Sequence, residues 1–207
     1  MAKKDKNAEA ENALPVPPPR LKKRFTEEVA PKLGEKFGIK NRLALPKLEK
    51  IIINVGMGKE LQGTKLDPKA REQVVSDLAM ISGQQPVVKK AKKSVSNFKL
   101  RAGYEVGAMV TVRGDRMWEL LDRLISLAIP RIKDFRGLAD KKFDGRGNYA
   151  FGITEQAIFP EIDMASAQYT HGMNIQLVFH NSSDELSHAV LSELGWPFVS
   201  TKKEAVK

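Results

Sequence analysis

Two periodicities alternate along this chain, and that alternation restricts its fold more than any other feature. Residues 50–57 follow a period of two, with Ile51, Ile53, Val55 and Met57 on one side and Lys50, Ile52, Asn54 and Gly56 on the other. Residues 106–113 repeat the pattern, with Val106, Ala108, Val110 and Val112 inward and Met109, Thr111 and Arg113 outward. So do residues 172–179, through Met173, Ile175, Leu177 and Phe179. Helical spacing fills the intervals. Leu21, Phe25, Val29, Leu33 and Phe37 recur every four residues and predict an amphipathic helix, bent or restarted at Pro31. Asp67-Pro68 opens a second helix, whose Val74, Val75, Leu78 and Ile81 form the apolar stripe and whose stop is Gly83. Asp115 is the expected cap of a third, with Trp118, Leu121, Leu124, Ile125 and Leu127 running up to Pro130. Residues 184–194 form a fourth, stopped by Gly195.

A short strand is expected at 87–90, and 136–152 read as a glycine-rich connection. Strands that alternate, rather than run continuously apolar, favour an α+β fold. The expected sheet is mostly antiparallel, with helices on one face and the other face partly open. Residues 1–19, ending in Leu14-Pro15-Val16-Pro17-Pro18-Pro19, read as a disordered arm. Residues 20–200 then form a single domain and 201–207 a flexible tail. No apolar run approaches the roughly 20 residues needed to span a bilayer, and the N-terminus has no apolar signal segment.

Charge indicates a partner. The 207 residues carry a formal net charge of +10, and residues 86–116 alone hold eight basic side chains against two acidic ones. Lys89, Lys90, Lys92, Lys93, Lys99, Arg101, Arg113 and Arg116 make up that run, with Phe98, Gly103 and Tyr104 among them. Uncompensated basic charge beside aromatic and small residues points to a polyanion, either nucleic acid or an anionic membrane surface. A peripheral membrane protein would need an exposed apolar helix face beside that charge, whereas the basic loop lies between strands, so no membrane partner is expected.

Catalysis finds little support. The chain has no cysteine, which removes disulfides, thiolate metal sites and cysteine nucleophiles. Its three histidines, His171, His180 and His188, are not spaced to form a metal face. Gly56-x-Gly58 lacks a third glycine, and Gly145-x-Gly147 reads as a loop that needs positive φ. Glu161 and Asp163 follow Phe159-Pro160 in a turn. Neither a cofactor nor a metal is expected.

Six strings then occur in order. They are Leu48–Gly58, Ile81–Val95 with its Gly83-Gln84-Gln85-Pro86 and Lys92-Lys93-Ser94, Val110–Glu119, Ile129–Gly137, Phe143–Tyr149 and Phe159–Asp163. Together they resemble the bacterial ribosomal protein five family of the large subunit, over roughly residues 21–199. The N-terminal arm is longer than that pattern. The resemblance implies a cytoplasmic, non-enzymatic protein of the large ribosomal subunit that anchors 5S rRNA in the central protuberance beside large-subunit rRNA. It further implies contact with peptidyl-site tRNA, with neighbouring 5S-rRNA-binding ribosomal proteins, and with a small-subunit head protein across an intersubunit bridge.

In residue terms, the resemblance assigns 5S recognition to Asn54, Gln84 and Thr111. Asn54 and Thr111 lie opposite the apolar residues of their strands, as outward-facing amide and hydroxyl groups. Lys47, Lys50, Lys89, Lys90, Lys92, Lys93 and Arg113 are expected to supply the phosphate contacts around them. A basic, glycine-bearing and flexible loop from about Ser94 to Gly107, with Phe98, Lys99, Arg101 and Tyr104, is expected to reach tRNA.

Overall fold

The computed structural model describes residues 17–58, 61–62, 65–140, 142–165 and 167–199. Residues 1–16 of the expected arm and the expected tail 201–207 lie outside the described residues. Strand β1, Lys47–Gly56, is the axis of a five-stranded antiparallel sheet. The other strands are β4 (Val87–Lys90), β5 (Glu105–Val112), β6 (Tyr149–Ile153) and β7 (Met173–His180), in the order β4-β5-β1-β7-β6. Two short strands, β2 (Leu61–Gln62) and β3 (Lys65–Leu66), pair separately.

The alternation works as the sequence implies. Ile51, Ile53, Val55, Ala108, Val110, Val112, Ile175 and Leu177 are sealed on one face, in a core shared with the helices. Burying an aliphatic side chain of that kind contributes roughly 1.5–3 kcal/mol. Val106, expected inward, is only half-buried at the end of its strand.

Four helical segments cover the inner face. Helix α1 runs over Arg20–Arg24, widens into a π-helical turn at Phe25–Val29 and resumes over Ala30–Phe37. Helix α3 spans Gly114–Arg123, passes through a π-helical turn at Leu124–Ala128 and ends as a 3-10 turn at Ile129–Arg131. Each wide turn ends two residues before a proline, Pro31 or Pro130. A proline ring clashes with the carbonyl four residues back and offers no N–H. Here the residue before each proline, Ala30 or Ile129, donates to the carbonyl five residues back instead. The first helix therefore continues through Pro31 rather than restarting there.

Helix α2, Pro68–Ser82, begins on Asp67, whose carboxylate accepts from the Lys69 N–H at 3.0 Å, and ends on Gly83 at φ 63°. Helix α4, Asp184–Leu194, is capped by the Ser183 hydroxyl and stopped by Gly195. Three expectations change. Asp115 makes no cap hydrogen bond and instead pairs with Lys22 of α1 at 2.6 Å. Leu127 is exposed rather than inward, because the π turn rotates it off the stripe. The 136–152 connection contains the start of a strand, since Tyr149, Phe151 and Ile153 are buried against β7 as β6. The loop before it is held by Asp184, whose carboxylate accepts from the N–H groups of Gly145 and Gly147 at 3.2 and 2.7 Å. Both glycines take φ 81°, as their loop requires.

Candidate nucleic-acid interface

No helix among the described residues covers the outer face of the sheet. Its side chains fall into rows set by the strand register. Asn54 on β1 pairs with Met109 on β5 and with Asn174 on β7, while Ile52 pairs with Thr111 and Gln176. Asn54 and Thr111 are therefore diagonal neighbours on one face, within side-chain reach of a common ligand. On β6, Ala150 stands level with Gln176 and Gly152 with Asn174. Apart from Thr111, these residues line a shallow groove of about 380 Å³ together with Lys142. Asn54, Thr111, Asn174 and Gln176 make no side-chain hydrogen bond within the described residues.

Gln84 is exposed just beyond the end of α2. Its backbone is braced, since the Gln84 N–H donates to the Ser82 hydroxyl at 3.2 Å and Arg116 donates to the neighbouring Gly83 carbonyl at 3.1 Å. Arg123 donates to the Ile81 carbonyl at 2.7 Å and pairs with Glu161, which ties the turn after Phe159-Pro160 to the end of α2. The chain reaches β4 three residues after Gln84, with Val87 opposite Met109, which puts this amide beside the edge of the same face.

The expected cations do not act as one group. Lys89 and Lys90 are exposed on the edge strand β4, with a register irregularity between them, and Lys92 and Lys93 are exposed just beyond. Lys47 is exposed but lies at the other end of β1, about 23 Å from Asn54 at some 3.3 Å per residue. Lys50 and Arg113 share a carboxylate, with the Lys50 ammonium 3.3 Å and the Arg113 guanidinium 3.0 Å from the same oxygen of Glu49. Lys50, and then Arg113, hold the Glu49 carboxyl below its ordinary range.

The basic loop forms a hydrogen-bonded hairpin. The Ala91 N–H donates to the Tyr104 carbonyl at 2.7 Å, and the Gly103 N–H donates back to Ala91 at 2.9 Å. Val95 and Leu100 exchange backbone bonds of 3.0 and 3.1 Å, and the Ser94 hydroxyl accepts from the Ala102 N–H at 2.9 Å. A 3-10 turn, Ser96–Phe98, makes the tip, and Lys99 follows it at φ 52°. Phe98 at the tip is 70% exposed, and Lys99 and Arg101 are exposed beside it. Tyr104 lies at the hairpin base, half-buried, and Glu105–Gly107 belong to β5.

Residues 41–101 match the family described as Ribosomal protein L5, and residues 105–198 match the model for the C-terminus of that ribosomal family. The chain belongs to the uL5 family. A large ribosomal subunit protein uL5 from Streptomyces coelicolor is 51% identical over 180 residues, covering 87% of this chain and 95% of that protein. Another from Caldanaerobacter subterraneus subsp. tengcongensis is 50% identical over 179 residues, covering 86% and 98%. A third, from Acidobacterium capsulatum, is 49% identical over 183 residues, covering 88% and 98%. Both uL5 matches contribute to the outer face. The first carries Asn54, Gln84 and the edge lysines, and the second carries Thr111, Asn174 and Gln176.

Asn174, Gln176 and Glu49 are the residues missed from sequence. The signal for the first two was present, because Met173, Ile175 and Leu177 inward force Asn174 and Gln176 outward. Among the described residues, no group of three or more His, Asp or Glu could hold a metal ion. No helix among them is long and apolar enough to cross a membrane.

Proposed function

We propose that this uL5-family chain binds 5S rRNA on the open face of its sheet and anchors it in the central protuberance beside large-subunit rRNA. Its role as a structural constituent of the large ribosomal subunit, and not as an enzyme, follows from the family to which it belongs. The observation that carries the 5S reading is the diagonal pair Asn54 and Thr111, both with unspent hydrogen-bonding capacity, on an uncovered face flanked by the lysines of β4. A-form RNA presents a shallow minor groove with 2′-hydroxyls and base edges, which suits a surface of amides and hydroxyls. Lys89, Lys90, Lys92 and Lys93 neutralise phosphates at its edge and carry the salt dependence.

The 91–104 hairpin, with Phe98, Lys99 and Arg101 outermost, is the element we assign to peptidyl-site tRNA. The acidic excess of residues 117–207 suits a basic small-subunit head protein across a bridge, and other 5S-rRNA-binding proteins adjoin the same RNA. Filter binding to 5S rRNA across a salt series tests the central assignment. Asn54→Ala weakens binding by about 1 kcal/mol or more with the salt slope unchanged, whereas Lys89→Ala lowers the slope by roughly 0.7–0.9. Wild-type affinity in Asn54→Ala would overturn it.

A further inference from the structure

The outer face does not end at β5 and β1. Asn174 stands directly opposite Asn54 across the β1–β7 pair, and Gln176 stands opposite Ile52. Both are exposed, and neither side chain is hydrogen-bonded within the described residues. Asparagine is depleted in strands, so the outward Asn174 in the middle of β7 finds no explanation in sheet propensity. Next to them the surface is kept low. Gly152 pairs with Asn174, and a Cβ built on Gly152 would sit 3.1 Å from the Asn174 amide oxygen. A side chain there would displace that amide. Ala150 beside Gln176 is equally short. Lys142, exposed at the rim of the same groove, adds a cation at this end.

Resting on the 5S rRNA reading above, we infer that Asn174 and Gln176 on β7 form a second line of RNA-reading groups, which extends the RNA footprint across β7 and β6. Asn54 and Asn174 present a side-by-side pair of amides, each with a carbonyl acceptor and an NH₂ donor. Thr111 and Gln176 flank the half-buried Ile52 in the next row. Such a two-row array matches successive ribose 2′-hydroxyls and base edges along a minor groove. The low Gly152 and Ala150 let the RNA backbone come close to the sheet, and Lys142 meets a phosphate there. The array is neutral, so it sets register and ribose recognition rather than salt dependence.

The test compares wild type, Asn54→Ala and the double variant Asn174→Ala/Gln176→Ala in filter binding to 5S rRNA over a salt series, with hydroxyl-radical footprinting of the RNA. Thermal melts check folding, and the exposed positions leave the midpoint unchanged. A Gly152→Val variant, which crowds Asn174, serves as a second probe. At roughly 1 kcal/mol for each amide contact, the double variant binds about 30-fold weaker. Its salt slope stays the same, and it loses ribose protections that Asn54→Ala retains. Binding by the double variant within twofold of wild type, with an unchanged footprint, overturns the inference while Asn54→Ala still reports on the primary site. A flattened salt slope overturns it too, because the loss would then be electrostatic. Failure of wild type itself to bind 5S rRNA defeats the proposed function, and this inference with it.

Discussion

Asp77 of α2 and His171, just ahead of β7, face each other at 3.8 Å with both side chains all but sealed from water. The facing Asp77 oxygen and both ring nitrogens of His171 have no hydrogen-bond partner in the described structure. Burial raises the Asp77 carboxyl and lowers the His171 imidazole, so each is biased towards its neutral form. The backbone around them is tied down separately. Gln156 accepts from the His171 N–H at 2.8 Å, and Gln73 donates to the Tyr169 carbonyl at 2.8 Å.

The pH dependence follows from these directions. A depressed imidazole contributes stability that is present above its unfolded value, about 6.5, and is lost as pH falls through its folded value. A raised carboxyl behaves oppositely, contributing below its unfolded value and losing that contribution as pH rises through the folded one. As pH falls below about 6.5, the His171 contribution is lost while the Asp77 contribution is gained, so the two oppose each other. His171→Gln removes the imidazole's loss and leaves the Asp77 gain, so the variant loses less stability on acidification than wild type, as urea melts at several pH values would read.

Glu49 pairs with two cations, Lys50 and Arg113, that the proposed 5S rRNA interface would otherwise offer to phosphates. Glu49→Gln releases Lys50 and Arg113, so 5S rRNA binding tightens at low salt and the salt slope steepens by roughly 0.7–0.9 for each cation freed. An unchanged slope would mean that neither side chain reaches a phosphate.

Gly107 pairs with Gly56, and a Cβ on it would meet the Val55 carbonyl oxygen at 2.7 Å. Because that neighbour is backbone, Gly107→Ala forces β5 away from β1 and costs about 1–3 kcal/mol. Thermal denaturation measures it.

Phe98 is a large apolar side chain at a hairpin tip with nothing packed over it in the described structure. Phe98→Ala leaves folding stability within about 0.5 kcal/mol of wild type. Cross-linking to peptidyl-site tRNA in assembled ribosomes falls sharply if the hairpin makes the proposed contact.

Much of this architecture is legible in the sequence where local signals and burial agree. β1 and α4 are examples, the first through strict alternation and the second through its Gly195 stop. Signals failed where tertiary partners took over. Asp115 has the chemistry of a cap but is drawn to Lys22, ninety-three residues earlier. β6 was hidden because its alternation includes Gly152 and follows a glycine loop, so Tyr149 and Phe151 read as part of a connection. Of the interface, Asn54 and Thr111 could be placed on an outward face by pattern, while their roles came only through family resemblance. Glu49 could not be recognised as the partner of Arg113, because their meeting depends on the β1–β5 register.

The hydrogen-bonded hairpin changes the thermodynamics of any contact that it makes. Fixing one backbone residue costs about 1–2 kcal/mol in lost conformational freedom. In this finger much of that cost falls on folding rather than on docking, because Ala91, Val95, Leu100 and Gly103 are already bonded. Association can therefore be shallow in area and still occur, and release requires no segment to melt. A contact of that kind suits repeated engagement and departure.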